Sequence, residues 1–239
     1  MSVVGRVVVY GPRDAPFTKK ILGALALKGV PYELRQPSGP EDYRRWSPET
    51  GLLPAADIEG ERVADSGRIL DALDRRFPDP PLLAEDSVAA TAQRRLERWV
   101  EETFFYYWQR WLRERVERQA QLEGRARAEA EAAASPLQRT LARLGLSARE
   151  IATSRSDVAM GQEFETRLDD LVNFLGGRPF FYAERIGRAD LAVHGFLTSE
   201  PVRTVRSVSA AVSARRSLVE HVARVEAAVA PKAAVSVGR

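Results

Sequence analysis

The residues best suited to gripping a small polar molecule lie between positions 51 and 70, which read GLLPAADIEGERVADSGRIL. Asp65 and Ser66 fall where a strand pattern ends and a helix pattern begins. A helix start offers free N–H groups and partial positive charge, so it can hold a carboxylate, with the Ser66 hydroxyl adding a hydrogen bond. Asp65 can accept from an ammonium group. The same two residue types also cap helices with no ligand present. Leu53-Pro54 precedes the first strand of the stretch. There Pro54 ends a turn and reads as an ordinary proline at a strand start. Tyr10 and Thr18 are the side-chain hydroxyls nearest the first strand–helix junction. His194 and His221 stand alone, without the paired ligands that a metal site needs. No metal is expected.

The elements that must position these groups follow from local pattern. Val3 to Tyr10 is rich in β-branched residues and reads as a buried strand. Pro16 suits the first turn of a helix. Phe17, Ile21, Leu22, Leu25 and Ala26 then repeat at helical spacing up to a stop at Gly29. Val30 to Leu34 begins a second strand, and Gly39 to Trp46 is a short helical or irregular link. Two more strands lie within 51–65, turning at Glu59-Gly60-Glu61, and a helix with Ile69, Leu70 and Leu73 on one face runs from Ser66 to Arg76. Strand-helix-strand followed by strand-strand-helix builds a mixed four-stranded sheet with helices packed on it. Phe77-Pro78-Asp79-Pro80-Pro81 breaks the chain.

The second half reads as helix throughout. Leu96, Trp99, Val100, Thr103, Phe104, Tyr107, Trp108, Trp111 and Leu112 mark one long amphipathic helix. Phe105 and Tyr106 fall off that stripe, as pocket lining, subunit contact or plain packing. Residues 113–135 are charged and alanine-rich, a helix extension or an excursion. Helical spacing returns over Leu137 to Leu144 and from Met160 to Leu175, where Gly176-Gly177 ends it.

Composition narrows the function classes. The chain has 239 residues, 44% hydrophobic and 29% charged, and no cysteine. It therefore has no disulfide framework and no thiol nucleophile of its own. The net charge of +3 arises from 36 basic residues interleaved with 33 acidic ones. That pattern describes solvated helix faces, not a nucleic-acid footprint. No apolar run approaches the roughly 18 residues of a membrane span, and the first residues lack the layout of a secretory signal. The expectation is a cytoplasmic protein with no nucleic-acid or membrane partner.

The element order, the phrase Lys28-Gly29-Val30-Pro31-Tyr32-Glu33, Leu53-Pro54 and Ala64-Asp65-Ser66 together resemble the thioredoxin-like N-terminal domain of glutathione transferases. The Gly187-Arg188-Ala189-Asp190 phrase resembles the capping motif of their all-helical C-terminal domain. The resemblance implies an α/β thioredoxin-like domain over 1–79, a linker over 80–86, a helical bundle over 87–230 and a flexible tail over 231–239. It implies a cis Pro54, glutathione as co-substrate held by Leu53, Pro54, Asp65 and Ser66, and a homodimer. The ligand's γ-glutamyl group would carry the two charges that Ser66 and Asp65 match. LGGRPFFYAERIGRADLAVHGFL and EETFFYYWQRW look most like the metaxin-like or failed-axon-connections-like branch and its bacterial relatives.

One position departs from the family. Where many members carry Ser or Cys before the proline of the first helix, this chain has Ala15. An alanine can neither donate to a thiolate nor form a mixed disulfide. A free thiol titrates near ~8.5 and must be lowered for transfer. The remaining donors are Tyr10, Thr18 and backbone N–H groups near Ala15. Phe105 and Tyr106 would line the pocket of an apolar electrophile. Two readings stand: transfer of glutathione to such an electrophile, or a binding or protein-interaction module that kept the fold and lost the chemistry.

Overall fold

The computed structural model describes residues 7–132 and 148–230. The expected strand start at Val3, the helical spacing over 137–144 and the tail beyond 230 lie outside them. Strand β1 (Val7–Tyr10) leads into α1 (Pro16–Leu27), then β2 (Tyr32–Arg35) and α2 (Pro40–Trp46). Next come β3 (Ala55–Ile58), β4 (Glu61–Ala64) and α3 (Ser66–Arg76). The sheet order is β2-β1-β3-β4, with β1 parallel to β2 and antiparallel to β3, and β3 antiparallel to β4. This is the thioredoxin-like layer arrangement.

Local chemistry sets the boundaries. Pro16 starts α1 at a position where its missing N–H costs nothing. Gly29 ends the segment at φ 64°, a conformation that glycine adopts freely. Alternation along β1 divides its side chains between two layers. Val7 and Val9 pack with Ile21 and Leu25 of α1 and with Ile69 and Leu73 of α3, whereas Val8 and Tyr10 pack with Trp46 on the opposite face. Lys28 pins the linker, its buried ammonium donating to the carbonyls of Phe77 at 2.6 Å and Pro80 at 2.7 Å.

The helical half comprises α4 (Ser87–Ala132), α5 (Ala148–Leu175), α6 (Arg188–Leu197), α7 (Glu200–Thr204), α8 (Arg206–Ser213) and α9 (Arg216–Val229). The charged stretch after Leu112 continues α4 as helix as far as Ala132. Leu96, Val100, Phe104, Tyr107 and Trp111 of α4 meet Met160, Phe164, Leu168, Leu171 and Leu175 of α5 in one core. Asp190 lies at the start of α6 as expected. Its carboxylate accepts from the N–H of Gly187 at 2.8 Å and of Phe181 at 2.9 Å. Glycine replaces a hydroxyl cap at 187 for lack of space, because a Cβ there would stand 2.9 Å from the Leu82 carbonyl oxygen.

The two halves share side chains. Leu191 of α6 and Val225 of α9 belong to the same cluster as β1, α1 and α3. α1 and α6 approach so closely that a Cβ on Gly195 would lie 2.5 Å from the Pro16 carbonyl oxygen.

Candidate functional site

The first half of the site is the junction of β1, α1 and β3. Leu53-Pro54 is a cis peptide, and Pro54 is buried beside Gly11. A Cβ on Gly11 would stand 2.6 Å from Thr18 Oγ1 and 3.5 Å from Pro54 Cβ. Glycine is thus required there by space, since the three residues converge on one point. Ala15 is the N-cap of α1 and has no side chain to cap with. The Ala15 N–H bonds to the Pro12 carbonyl at 3.1 Å. Pro16 has no N–H, which leaves those of Phe17 and Thr18 at the positive end of the helix.

The second half is the start of α3. Asp65 sits at φ 77°, a left-handed value uncommon for a residue with a side chain. Its carboxylate accepts from the N–H of Arg68 at 3.0 Å. Ser66 is buried, and its hydroxyl donates to Glu101 Oε1 at 3.2 Å. Asp65 is thus the N-cap of α3, while the Ser66 hydroxyl is turned to α4 and caps nothing.

Behind Ser66 runs a chain of ionic groups that joins the two halves. Lys20 of α1 is buried and donates to Glu97 at 2.8 Å and also to Glu101. Arg188 of α6 reaches both Glu97 and, at 2.5 Å, Asp71. Arg94 adds a 3.1 Å contact to Asp71. Burial pushes the Glu97 carboxyl up, but Lys20 and Arg188 outweigh it and hold the group below the usual range. For Glu101 burial wins over Lys20, so its carboxyl is raised. Sequence reasoning missed this cluster. Its signal was Glu97 and Glu101 at i,i+4 beside the apolar stripe, a like-charge pair that destabilises a helix unless a cation lies between.

Glu101 and Phe105 lie one turn apart on α4. Phe105 packs edge-on against Phe17 at 5.2 Å, and Phe17 against Phe196 at 5.4 Å. The wall that begins at Ser66 and Glu101 therefore continues as Phe105 and Phe17, in the first turn of α1. Tyr106 points elsewhere and is 55% exposed. The pair read as one pocket is divided, because neighbours on a helix project about 100° apart.

The two hydroxyls read as thiol donors are both placed away from an open site. Tyr10 lies on the α2 face of the sheet, and its phenol donates to Asp57 at 2.7 Å. Burial and that hydrogen bond raise its pKa, so it stays a neutral phenol. Thr18 Oγ1 is enclosed and has no partner. A groove of about 1080 Å³ borders Lys19, Leu22 and Ala26, another face of α1 than the one that presents Lys20 to the ionic chain. Among the described residues, no group of His, Asp and Glu could hold a metal ion, and no helix is long and apolar enough to cross a membrane.

Residues 9–81 match the family model for the glutathione S-transferase N-terminal domain. The chain is similar to glutathione S-transferase DHAR3, chloroplastic, of Arabidopsis thaliana, at 32% identity over 84 residues. That match covers 34% of this chain and 32% of the relative, so the chain spans about a third of the length of the curated relative it matches. Solved structures are similar along almost the whole chain. A glutathione S-transferase from Methylobacterium radiotolerans, in complex with glutathione sulfonate, is 24% identical with a TM-score of 0.65, covering 98% of this chain and 99% of that one. A glutathione transferase homologue from Sulfitobacter, with bound glutathione, is 15% identical with a TM-score of 0.60, covering 94% and 95%. At these identities the structural likeness establishes the fold. Residues 9–81 are similar to the glutathione S-transferase N-terminal domain, and the described chain carries the fold of those transferase structures, a thioredoxin-like α/β domain followed by a helical domain.

Proposed function

We propose that this chain binds glutathione, or a small thiol peptide like it, and transfers it to an apolar electrophile. The observation that carries the reading is the continuous wall from Ser66 and Glu101 to Phe105 and Phe17. Its polar end suits the charged head of a γ-glutamyl peptide, while its apolar end lies at the first turn of α1, beside Ala15. Leu53 and Pro54 supply the edge against which an extended peptide can lie as an added strand. Glutathione sulfonate in one structural neighbour and glutathione in another support the choice of ligand.

Activation of the thiol would rest on the backbone. With Ala15 in place, Tyr10 held by Asp57 and Thr18 enclosed, the N–H groups of Phe17 and Thr18 and the positive end of α1 are the remaining donors. They favour a thiolate at the start of the helix, where an added hydroxyl would favour it more. The same absence of a hydroxyl is the observation that favours the second reading, a binding or protein-interaction module without turnover. The proposal takes the protein to be a cytoplasmic homodimer. It also places it, on the LGGRPFFYAERIGRADLAVHGFL and EETFFYYWQRW phrases alone, near the metaxin-like branch.

Calorimetric titration with glutathione tests binding, and conjugation of a standard electrophile tests transfer. Millimolar glutathione without heat of binding would sink the proposal. Binding without turnover would select the module reading. If transfer occurs, Ala15→Ser should raise kcat about tenfold or more, since a single donor to a developing anion has effects of that order. KM should change little.

A further inference from the structure

The face of α1 turned away from the ionic chain is apolar for most of its length. Leu22 and Ala26 follow Lys19 at helical spacing, along about 10 Å of helix. They border the groove of about 1080 Å³, whose other walls include Leu197 of α6 and Val229 of α9. Leu22 and Val229 are half-buried and Ala26 is exposed. Charge is unevenly divided here. Lys19, 18% exposed, donates to the Thr198 carbonyl at 2.7 Å and lies 3.7 Å from Asp14. Arg203 approaches the same carboxylate at 3.2 Å. Arg13 lines the groove from the loop before α1, and its guanidinium makes no hydrogen bond or ion pair among the described residues. Three bases thus share Asp14. The other acid of the groove, Glu226, stands 3.9 Å from His194, which burial holds neutral at about 4. The other base, Lys28, is taken up by Asp74 at 2.7 Å and by the linker carbonyls. Burial and the nearby Arg203 hold the Lys19 ammonium below its usual range.

The helices α1, α6 and α9 spend their backbone N–H and C=O groups internally. An extended peptide in the groove would leave its own amides short of partners, whereas a hydrocarbon chain has none to satisfy. The excess of positive charge at one end calls for an anionic head on that chain. We propose that this groove is a second binding site, for an unbranched aliphatic carboxylate, with its head among Arg13, Lys19 and Arg203 and its chain along Leu22, Ala26 and Val229. The apolar length is comparable with the extended chain of decanoate. The three bases would then face two carboxylates, Asp14 and the ligand's own, and the repulsion between Lys19 and Arg203 would be relieved. The site lies on another face of α1 than the thiol-peptide wall, so the proposal does not depend on that reading.

The probes are decanoate and decanol, titrated calorimetrically below the concentrations at which they form micelles or separate. Wild type should prefer decanoate about tenfold, the weight of a hydrogen bond to a charged group. Arg13→Glu, in an exposed loop, should remove most of that preference and leave decanol unchanged. Ala26→Trp should fill the trough and abolish binding of both probes, with the glutathione titration unaltered. Decanoate held no better than decanol, or a full preference retained in Arg13→Glu, would overturn the anionic head. Decanoate binding retained in folded Ala26→Trp would overturn the groove as its site, and the Arg13→Glu titration stands should Ala26→Trp fail to fold. Self-association of wild type that Ala26→Trp abolishes would give the groove to a second copy of the chain and overturn the proposal. Failure of wild type to bind decanoate would overturn it too, and would leave the thiol-peptide reading intact.

Discussion

Helices α3 and α6 begin with the same chemistry and serve different ends. At α6 the carboxylate of Asp190 is fully buried, bonded to the N–H groups of Phe181 and Gly187 and covered by His221, whose Nε2 lies 3.6 Å away. At α3 the carboxylate of Asp65 makes one backbone bond, and Ser66 points its hydroxyl at a residue from the other half of the molecule. An acid at a helix start is a structural bolt when both its oxygens are enclosed. It is available to a ligand when the turn lies open. Enclosure, not residue type, separates the two.

Removing the carboxylate at each start would sharpen this contrast. Asp190→Ala strands two buried N–H groups and should cost about 3 kcal/mol, read by denaturant unfolding. A variant that unfolds like wild type would break the comparison at its stronger end. The next effect is on pH. Burial holds His221 down at about 4, so it is neutral in the folded protein. A depressed basic group contributes stability above its unfolded value near 6.5 that is lost as pH falls through about 4. Asp190 runs the other way. Burial outweighs its hydrogen bonds and pushes it up to about 7, so its contribution is present below 3.8 and lost as pH rises through about 7. The two partly cancel in the wild type. His221→Gln removes one of them, and its stability relative to wild type should rise by about 2 kcal/mol from pH 7 to pH 5. Parallel pH profiles would show that His221 is not held neutral. The smallest change in stability belongs to α3. Asp65→Ala loses a cap and leaves the residue at its positive φ, and should cost about 1 kcal/mol. Ser66→Ala should move the melting temperature by only a few degrees and lower glutathione affinity about tenfold. Ser66→Ala as damaging to folding as Asp190→Ala, with affinity intact, would make the two helix starts equivalent.

The elements of the first half were legible because each carries its own punctuation. Pro16 and Gly29 bracket α1, and the aromatic stripe of α4 announced its buried face before any partner was known. What stayed hidden depends on contacts distant in sequence. Period-two alternation puts Tyr10 opposite Val9, but which layer α1 covers is decided by the packing of the whole sheet. Phe105 and Tyr106 are adjacent in sequence and diverge on the helix. Lys20, Glu97, Glu101 and Arg188 are separated by up to 168 positions in the chain, between Lys20 and Arg188. In the sequence each looks like any other surface charge of a charged protein. Only the docking of α1, α4 and α6 turns them into one buried series.

That docking turns on Gly195. With the backbone of α6 pressed against the Pro16 carbonyl, no side chain separates α1 and α6 at that point of their crossing. A joint without cushioning has little travel. Under the proposed function, the ligand site between the two halves should then keep one width, and a ligand should have to match it as found instead of drawing it closed. Binding should leave the relative orientation of α1 and α6 unchanged, and acceptors should be sorted by girth more than by chemical type. A glycine that touches no ligand would then limit the size of what this protein can accept.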